Sequence, residues 1–462
     1  MKKSYTFNNI EWVFLSIFLS FLIGIAFSII NFKIVLLVIF VSFILIVLFI
    51  KRLFFDFLLL SSICIFIFAQ FELPYIDLGR FASIFFMACL SAYVIKNKKI
   101  PKNKILVGLS YIAGYSLMTS FFSYYPTVAM SKSITLFLLV GFLLFVPPAI
   151  KIIHPQIETK EYMQRLFMMI AIVFTISNAI YYLLFPSSSN GYYTGTAFLN
   201  GRFRGWFVNP NDLATLLGVF FVPILWSKFR NETIRFNKLI LFILSIITII
   251  ELLGTQSRAG ILSGFISLLI LELGIKNWKT RIPFIAILIF LAVGVYLVNP
   301  EDNIFRQFIY RNEIELAGSG RLDYWKSAII RFFQAPIFGS GLGVSITYPK
   351  INLEGLVFNS QGFTLQKDNS YITALEELGV VGCLILGITL LLPLCRAFWK
   401  ELIKTKKTFI ETNLISASIV VAGLFNAIFE SWLLSVGNIA CISFWIFAFI
   451  LMEDNSKYVA NN

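Results

Sequence analysis

Long uninterrupted apolar runs constrain this chain more than any other feature of its sequence. A helix that crosses the hydrocarbon core of a bilayer needs about 20 predominantly apolar residues, and such runs recur along the whole chain. We place fourteen spans, so the sequence predicts an all-α, polytopic membrane protein. The predicted spans are 11–30, 34–50, 53–71, 78–95, 105–123, 131–150, 166–185, 211–227, 239–254, 259–275, 282–298, 371–395, 413–429 and 433–452.

The overall composition supports this prediction and excludes other classes of protein. Hydrophobic residues make up 58% of the chain, and charged residues make up only 13%. The charged share is about half of that in a typical soluble domain. A soluble domain could not bury so much apolar surface, so the composition excludes an ordinary soluble enzyme, a disordered chain and a coiled coil.

The basic residues predict how the chain is oriented in the membrane. The net charge of +14 would suggest a nucleic-acid partner in a soluble protein. Here, 25 of the 38 Lys and Arg residues fall on one side when the loops are assigned alternately to the two sides of the membrane. Basic residues concentrate in cytoplasmic loops. We therefore expect an even number of spans, both termini in the cytoplasm, a location in the cell membrane, and no nucleic-acid partner.

Two loops on the opposite, extracytoplasmic side are much longer than the others. They cover residues 186–210 and 299–370, and long loops between regular elements are usually functional. The cytoplasmic loops contain no Gly-rich phosphate-binding motif, so we expect no nucleotide cofactor and an active site on the outer face. The chain is divided into an N-terminal bundle (1–200), a central region with the long loop (201–395), and C-terminal helices with a tail (396–462).

The shorter outer loop is rich in residues that bind anions or cap helices. Arg202 and Arg204 lie just before Asn209, Asn211 and Asp212. One interpretation is a capped turn, with either asparagine as the N-cap and the arginines reaching lipid headgroups. The other is an anion and sugar site, because arginine binds phosphate with two parallel hydrogen bonds.

Two further charged residues lie next to apolar runs. Arg258 separates two predicted spans, where a charge is costly and therefore a functional candidate; the alternative is a simple turn arginine. Asp368 precedes the span that begins near Tyr371. It is predicted to be either the N-cap of that span or a general base that faces a lipid-bound substrate.

The long loop contains a predicted amphipathic helix at residues 321–334. At 100° per residue its two faces separate, which is typical of a helix that lies flat on a membrane surface. The apolar face has Leu322, Trp325, Ile329, Phe332 and Phe333, and the polar face has Asp323, Ser327, Arg331 and Gln334.

Other titratable residues are not expected to act in catalysis. His154, which is the single histidine, lies beside Pro155 and is predicted to be a solvated loop residue. With one histidine and no cysteine cluster, we expect no metal site. Four glutamates lie at the ends of predicted spans, where a carboxylate can reach the membrane interface: Glu72, Glu251, Glu272 and Glu430.

Residues 202–395 resemble the integral-membrane O-antigen ligase and O-antigen or capsule polysaccharide polymerase superfamily. The first matching elements are Arg-x-x-Gly-x-x-x-Asn-Pro-Asn at 202–211 and the Ser-Arg-Ala-Gly turn at 257–260. They are followed by Gly-Ser-Gly-Arg at 318–321 with Trp325, the turn at 336–343, and Asp-Asn-Ser-Tyr at 368–371 with Glu377, Gly379 and Gly382.

The resemblance implies a C-type glycosyltransferase that takes glycans from undecaprenyl diphosphate on the outer leaflet, without metal or nucleotide. It implies that Arg258 and Arg321 hold the diphosphate. In the ligases a histidine activates the acceptor hydroxyl at the position where this chain has Asp368, and this difference favours a polymerase. The expected catalytic residues are Asp368, Arg321 and Arg258, and the expected substrate-binding residues are Arg202, Arg204, Asn209, Asn211, Trp325, Asn369 and Tyr371.

Three functions are therefore compared. The first is a polymerase that joins undecaprenyl-diphosphate-linked repeat units into a capsule or another surface polysaccharide. The second is a ligase that transfers a glycan to a lipid or protein acceptor. The third, from a different class, is a lipid-linked oligosaccharide flippase, which would favour paired charges at the bilayer midplane and two repeated halves. A flippase and a chain-length regulator are expected partners of a polymerase.

Overall fold

The structure is a computed structural model, and it describes most of the chain. The described residues are 51–68, 76–96, 103–186, 188–189, 196–199, 201–230, 238–274, 321–344, 358–359, 362–363, 368–404 and 412–453. The predicted spans 11–30, 34–50 and 282–298 lie outside these residues.

Helices form most of the described chain, and they coincide with the apolar runs. In chain order they are α1 (Lys51–Phe68), α2 (Ile76–Ile95), α3 (Lys104–Ser120), α4 (Pro126–Ile153), α5 (Thr159–Leu184), α6 (Pro210–Thr215), α7 (Val222–Arg230), α8 (Lys238–Gly254), α9 (Arg258–Gly274), α10 (Arg321–Phe332), α11 (Ser370–Leu386), α12 (Leu392–Lys404), α13 (Thr412–Asn426) and α14 (Ile439–Leu451). Two π-helical segments join α6 to α7 and α11 to α12, at Leu216–Phe221 and Gly387–Leu391.

The two long loops add short strands to this helical fold. In the first loop, β1 (Ser188–Ser189) pairs in parallel with β2 (Phe198–Leu199), and β2 pairs antiparallel with β3 (Arg202–Phe203). In the second loop, β4 (Phe358–Asn359) pairs antiparallel with β5 (Gly362–Phe363).

Several helices have the length and composition of a membrane span. Among the described residues, the stretches that are long and apolar enough are Pro126–Ile153, Thr159–Leu184, Pro210–Arg230 and Ser370–Glu401. Shorter apolar helices lie at Phe55–Ile67, Gly79–Ile95, Asn413–Asn426 and Ile439–Leu451. The mostly helical, membrane-spanning fold class is thus confirmed, whereas the number of fourteen spans stays a prediction.

The last helix, α14, is buried on all sides. All of its residues are buried, and it packs against α1, α3, α4 and α13. A helix that is apolar around its whole circumference is expected in such an interior position.

The predicted amphipathic helix is confirmed as α10, and Arg331 of its polar face is turned inward. The Arg331 guanidinium binds the Glu376 carboxylate of α11 through two hydrogen bonds of 2.9 and 3.3 Å, and the two side chains are only 3% and 0% exposed. Ile329 and Phe333 are exposed on the other side. The buried ion pair thus fixes α10 against α11, because separating it would leave an uncompensated buried charge.

A break in α11 provides a second attachment, which joins the turn after α10 to α11. Gly379 has φ +66° and ψ −172° inside the helix. The N–H groups of Val380 and Val381 therefore donate to the carbonyl oxygens of Pro336 and Ile337, in the turn after α10, at 2.9 and 3.2 Å. In the opposite direction, the N–H groups of Ser340 and Gly341 in the turn donate to the carbonyl oxygens of Glu376 and Glu377, both at 3.0 Å. The broken helix thus satisfies its backbone groups through the turn.

We expect Gly379→Ala to destabilise the protein. The backbone conformation at this position is essentially restricted to glycine, and a Cβ there would overlap the Ile337 carbonyl. The expected loss is about 1–3 kcal/mol or more, measured as thermal unfolding of the detergent-solubilised protein. The matched control is Gly387→Ala, because a Cβ there meets no atom within 4 Å. Equal melting temperatures for the two variants would contradict this explanation.

Candidate functional site

Arg321, at the start of α10, lies between two carboxylates from distant parts of the chain. Its Nε donates to Asp368 Oδ2 at 3.3 Å, and its Nη2 donates to Glu430 Oε1 at 2.9 Å. The side chains are 16%, 16% and 12% exposed in the order Arg321, Asp368 and Glu430. The cluster is thus largely shielded from solvent but is not sealed.

Asp368 does not cap α11. The N-cap is Asn369, whose side-chain oxygen accepts hydrogen bonds from the N–H groups of Tyr371 and Ile372, both at 2.9 Å. The alternative interpretation of Asp368 as an N-cap is therefore wrong. Asp368 has φ +46°, a conformation that few residues other than glycine adopt and that is concentrated at functional sites. Its carboxylate is directed to Arg321.

The segment between α13 and α14 is bound directly to the start of α11. The Ser370 N–H donates to the Ala427 carbonyl at 2.8 Å, and the Ser370 hydroxyl donates to the Glu430 carbonyl at 2.6 Å. The Leu433 N–H donates to the same hydroxyl oxygen at 3.1 Å. The Tyr371 hydroxyl donates to the Leu424 carbonyl at 2.8 Å. Both Asn369 and Tyr371, expected to bind substrate, thus make bonds that hold α11 in place.

The pKa of Glu430 depends on its burial and on the charges around it, which include those of Asp368 and Asp212. Burial raises the pKa of Glu430 to about 8; Arg321 opposes this shift, and Asp368 and Asp212 add to it. Asp212 lies in the first turn of α6 and is hydrogen-bonded to Asn438, the N-cap of α14. The site therefore combines one guanidinium with three carboxyl groups.

The shorter loop brings three of its predicted residues together. Arg202 donates through Nε to the Thr255 carbonyl at 2.8 Å and through Nη2 to Asn211 Oδ1 at 2.6 Å. Asn209 caps α6 by accepting from the Asn211 N–H at 2.9 Å. Arg202 thus connects the start of α6 to the turn that precedes Arg258.

Arg204, unlike Arg202, makes its hydrogen bonds within the shorter loop. It is 4% exposed, and its guanidinium donates to the Thr196 carbonyl at 3.0 Å and to the Thr196 hydroxyl at 3.4 Å. Burial lowers the pKa of Arg204, and the Tyr181 hydroxyl opposes that shift. The neighbouring Trp206 stacks on Tyr181 with ring centroids 4.0 Å apart. Arg204 therefore stabilises the loop.

Arg258 is the first residue of α9 and is partly exposed. Its guanidinium makes no hydrogen bond or ion pair within the described part of the chain. Two residues later, α9 approaches α6 closely: a Cβ on Gly260 would lie 2.5 Å from the Ala214 Cβ. The start of α9, which includes Arg258, is therefore packed against α6, the helix whose first turn contains Asp212. Trp325 lies one helical turn after Arg321 and is partly exposed.

A comparison with protein families shows what the region around Arg258, Arg321 and Asp368 is similar to. The family model described as O-antigen ligase matches residues 213–387. Residues 213–387 thus match the O-antigen ligase domain. The resemblance predicted from the sequence is confirmed, and with it a membrane protein with a glycan ligase or polymerase role. A search of the curated proteins found no match to the chain.

The O-antigen ligase domain contains Arg258, Arg321 and Asp368 but ends before Glu430. Sequence reasoning treated Glu430 as a carboxylate at a span end. A lone carboxylate between two apolar runs was the available signal, but its partner is 109 residues away. The pairing with Arg321 was therefore missed.

The single histidine lies outside the O-antigen ligase domain and is not solvated. His154 Nε2 is 2.8 Å from Asp56 Oδ1, the His154 side chain is 14% exposed, and its ring stacks on Tyr162. The prediction of a solvated loop residue is therefore wrong, because Asp56 on α1 supplies a partner. Among the described residues, no group of His, Cys, Asp and Glu is arranged to hold a metal ion.

Proposed function

We propose that this chain is a membrane glycosyltransferase that joins undecaprenyl-diphosphate-linked oligosaccharide repeat units into a surface polysaccharide, such as a capsule. The observation that carries the proposal is the pairing of Arg321 with Asp368, at hydrogen-bond distance inside an O-antigen ligase domain. A proton acceptor and a cation at one partly exposed site fit a reaction in which an acceptor hydroxyl displaces a lipid diphosphate.

The reaction forms one bond and breaks another. The acceptor hydroxyl oxygen attacks the anomeric carbon of the donor, its proton passes to the Asp368 carboxylate, and the bond from that carbon to the lipid diphosphate breaks. A positioned carboxylate can accept a proton in this way. The leaving diphosphate is already a stable anion, so it needs positive charge more than it needs a proton.

The arginines divide this task according to their partners. Arg258 makes no hydrogen bond or ion pair with a described residue, and we propose that its guanidinium binds the diphosphate. Arg321 uses two N–H groups on Asp368 and Glu430. A guanidinium has five such donors, so three make no hydrogen bond with a described residue. Arg321 can therefore contact the donor while it keeps Asp368 in place.

The acidic residue at position 368 favours a polymerase over a ligase. The ligases have a histidine at this motif position, whereas the single histidine of this chain is bound to Asp56. The description of the matching family favours the ligase as the second candidate. In either case we propose that both termini are cytoplasmic and that the site faces the outer leaflet, where a flippase delivers the donor and a chain-length regulator acts on the product.

Deletion of the gene, followed by gel analysis of the surface glycan, tests this proposal. Loss of a polymerase should leave single repeat units on lipid or on the cell surface. Full-length chains that stay on undecaprenyl diphosphate would instead indicate a ligase. Units trapped inside the cell would indicate a flippase and would contradict the proposed glycosyl transfer.

A further inference from the structure

Glu430 lies outside the O-antigen ligase domain, yet it contacts the central arginine of the site. We propose that Glu430 is a positioning residue that fixes Arg321 on Asp368 and that, as a neutral acid, lets the site accept an anionic diphosphate. This inference rests on the proposed function, which supplies the diphosphate donor.

The position of Glu430 is fixed from both sides. Its backbone carbonyl accepts the Ser370 hydroxyl at 2.6 Å, and its side chain accepts Arg321 Nη2 at 2.9 Å. Ser370 lies two residues after Asp368. Glu430 thus connects the start of α11, which includes Asp368, to the guanidinium at the start of α10. Without this contact, the bond of Arg321 to described residues would be the longer one, at 3.3 Å to Asp368.

The balance of charge gives Glu430 its second role. The charged groups that face it are Arg321 from α10, Asp368 from the start of α11 and Asp212 from α6. One guanidinium among three ionised carboxylates would leave two net negative charges, which would repel a diphosphate. A proton on Glu430 lowers this to one net negative charge and so weakens the repulsion of a diphosphate. A protonated carboxyl still accepts a hydrogen bond on its other oxygen, so the contact with Arg321 persists.

Of the two acids paired with Arg321, Glu430 is the more buried, and it is the one that keeps the proton. Burial raises the pKa of Glu430 to about 8. A raised pKa leaves Glu430 neutral below about pH 8 and ionised above it. Asp368, which contacts the same guanidinium, is the group proposed to accept the proton of the acceptor hydroxyl. We therefore expect diphosphate binding to weaken as the pH rises through 8.

The test compares Glu430→Gln and Glu430→Ala with the native protein. Glutamine has the shape and hydrogen bonds of a protonated glutamate but cannot ionise. Binding of inorganic pyrophosphate and turnover of the lipid-linked donor are measured from pH 6 to pH 9.5. Above pH 8, the dissociation constant of pyrophosphate should rise for the native protein until it is about tenfold or more higher than that for Glu430→Gln. Glu430→Gln should keep kcat within about threefold, and Glu430→Ala should lower it about tenfold or more.

The matched control is Glu272→Gln. Glu272 is also buried and paired with an arginine, with Oε2 3.2 Å from Arg230 Nη2. It lies fourteen positions after Arg258 on α9, about 21 Å along the helix axis. This variant should keep the native pH dependence of pyrophosphate binding.

The two proposals fail in different ways. If native protein and Glu430→Gln bind pyrophosphate with the same pH dependence, the role of Glu430 is refuted, and the proposed function stands. Native protein that shows the expected pH dependence but transfers no glycan refutes the proposed function and supports Glu430 as a diphosphate-site residue. If Glu430→Ala does not fold, the pH profile of Glu430→Gln decides.

Discussion

Asp368→Asn should transfer glycan about 10²- to 10⁴-fold more slowly than the native protein, the range that one positioned general base contributes. Asparagine has the shape of aspartate and can still accept a hydrogen bond from Arg321 Nε, which donates at 3.3 Å to the native carboxylate. It cannot accept the proton of the acceptor hydroxyl. The loss should therefore be in kcat, with little change in donor KM, measured with purified lipid-linked donor.

The control for this variant is Asp56→Asn. Asp56 is also a partly buried aspartate, paired with His154 at 2.8 Å, and it lies outside the O-antigen ligase domain. It should lower the melting temperature without lowering kcat. Native-like kcat in Asp368→Asn would remove Asp368 from the role of base, whatever happens to donor binding.

Arg258→Ala should lower kcat/KM by about 10²- to 10³-fold, the cost of removing one group that stabilises developing negative charge. Because Arg258 makes no hydrogen bond or ion pair with described residues, its removal should leave the melting temperature nearly unchanged. Arg258→Lys should recover part of the activity, since it keeps the charge but loses the fork that binds two phosphate oxygens. The measurement is the kinetics of donor turnover together with thermal unfolding.

Arg321→Ala should differ from Arg258→Ala in one respect. It should likewise lower kcat/KM by about 10²-fold or more, but it should also lower the melting temperature, because Asp368 and Glu430 would lose their shared cation. The control is Arg165→Ala, which removes an exposed pair with Glu161 on the same helix and should change stability by about 0.5 kcal/mol or less. Normal polymer from both Arg258→Ala and Arg321→Ala would show that the site is elsewhere.

Some parts of the site could be predicted because their signals are local. Asn209 was one of two candidate caps for α6, and it is the cap that forms. Arg258 was expected at a short turn between two apolar helices, and it begins α9. In each case a few neighbouring residues decide the backbone conformation, so the sequence contains the necessary information.

Other parts could not be predicted because two neighbouring residues offered the same local chemistry. Asp368 and Asn369 are both good N-caps, so the sequence left the role of Asp368 open. Its positive φ and its pairing with Arg321 depend on where α10 is held. That position depends on the buried pair of Arg331 and Glu376, which are 45 residues apart in the chain.

The sequence by itself determined that this chain forms apolar helices, where they run, and which superfamily its central region resembles. These properties depend on composition and on hydrogen bonds between near neighbours in the chain, which bilayer and helix geometry make predictable. The tertiary structure alone decided which charges meet. Arg321 pairs with carboxylates 47 and 109 residues away, and no local pattern encodes such a choice. A buried charge takes the partner that packing brings within reach, and here packing brought Glu430 into the site.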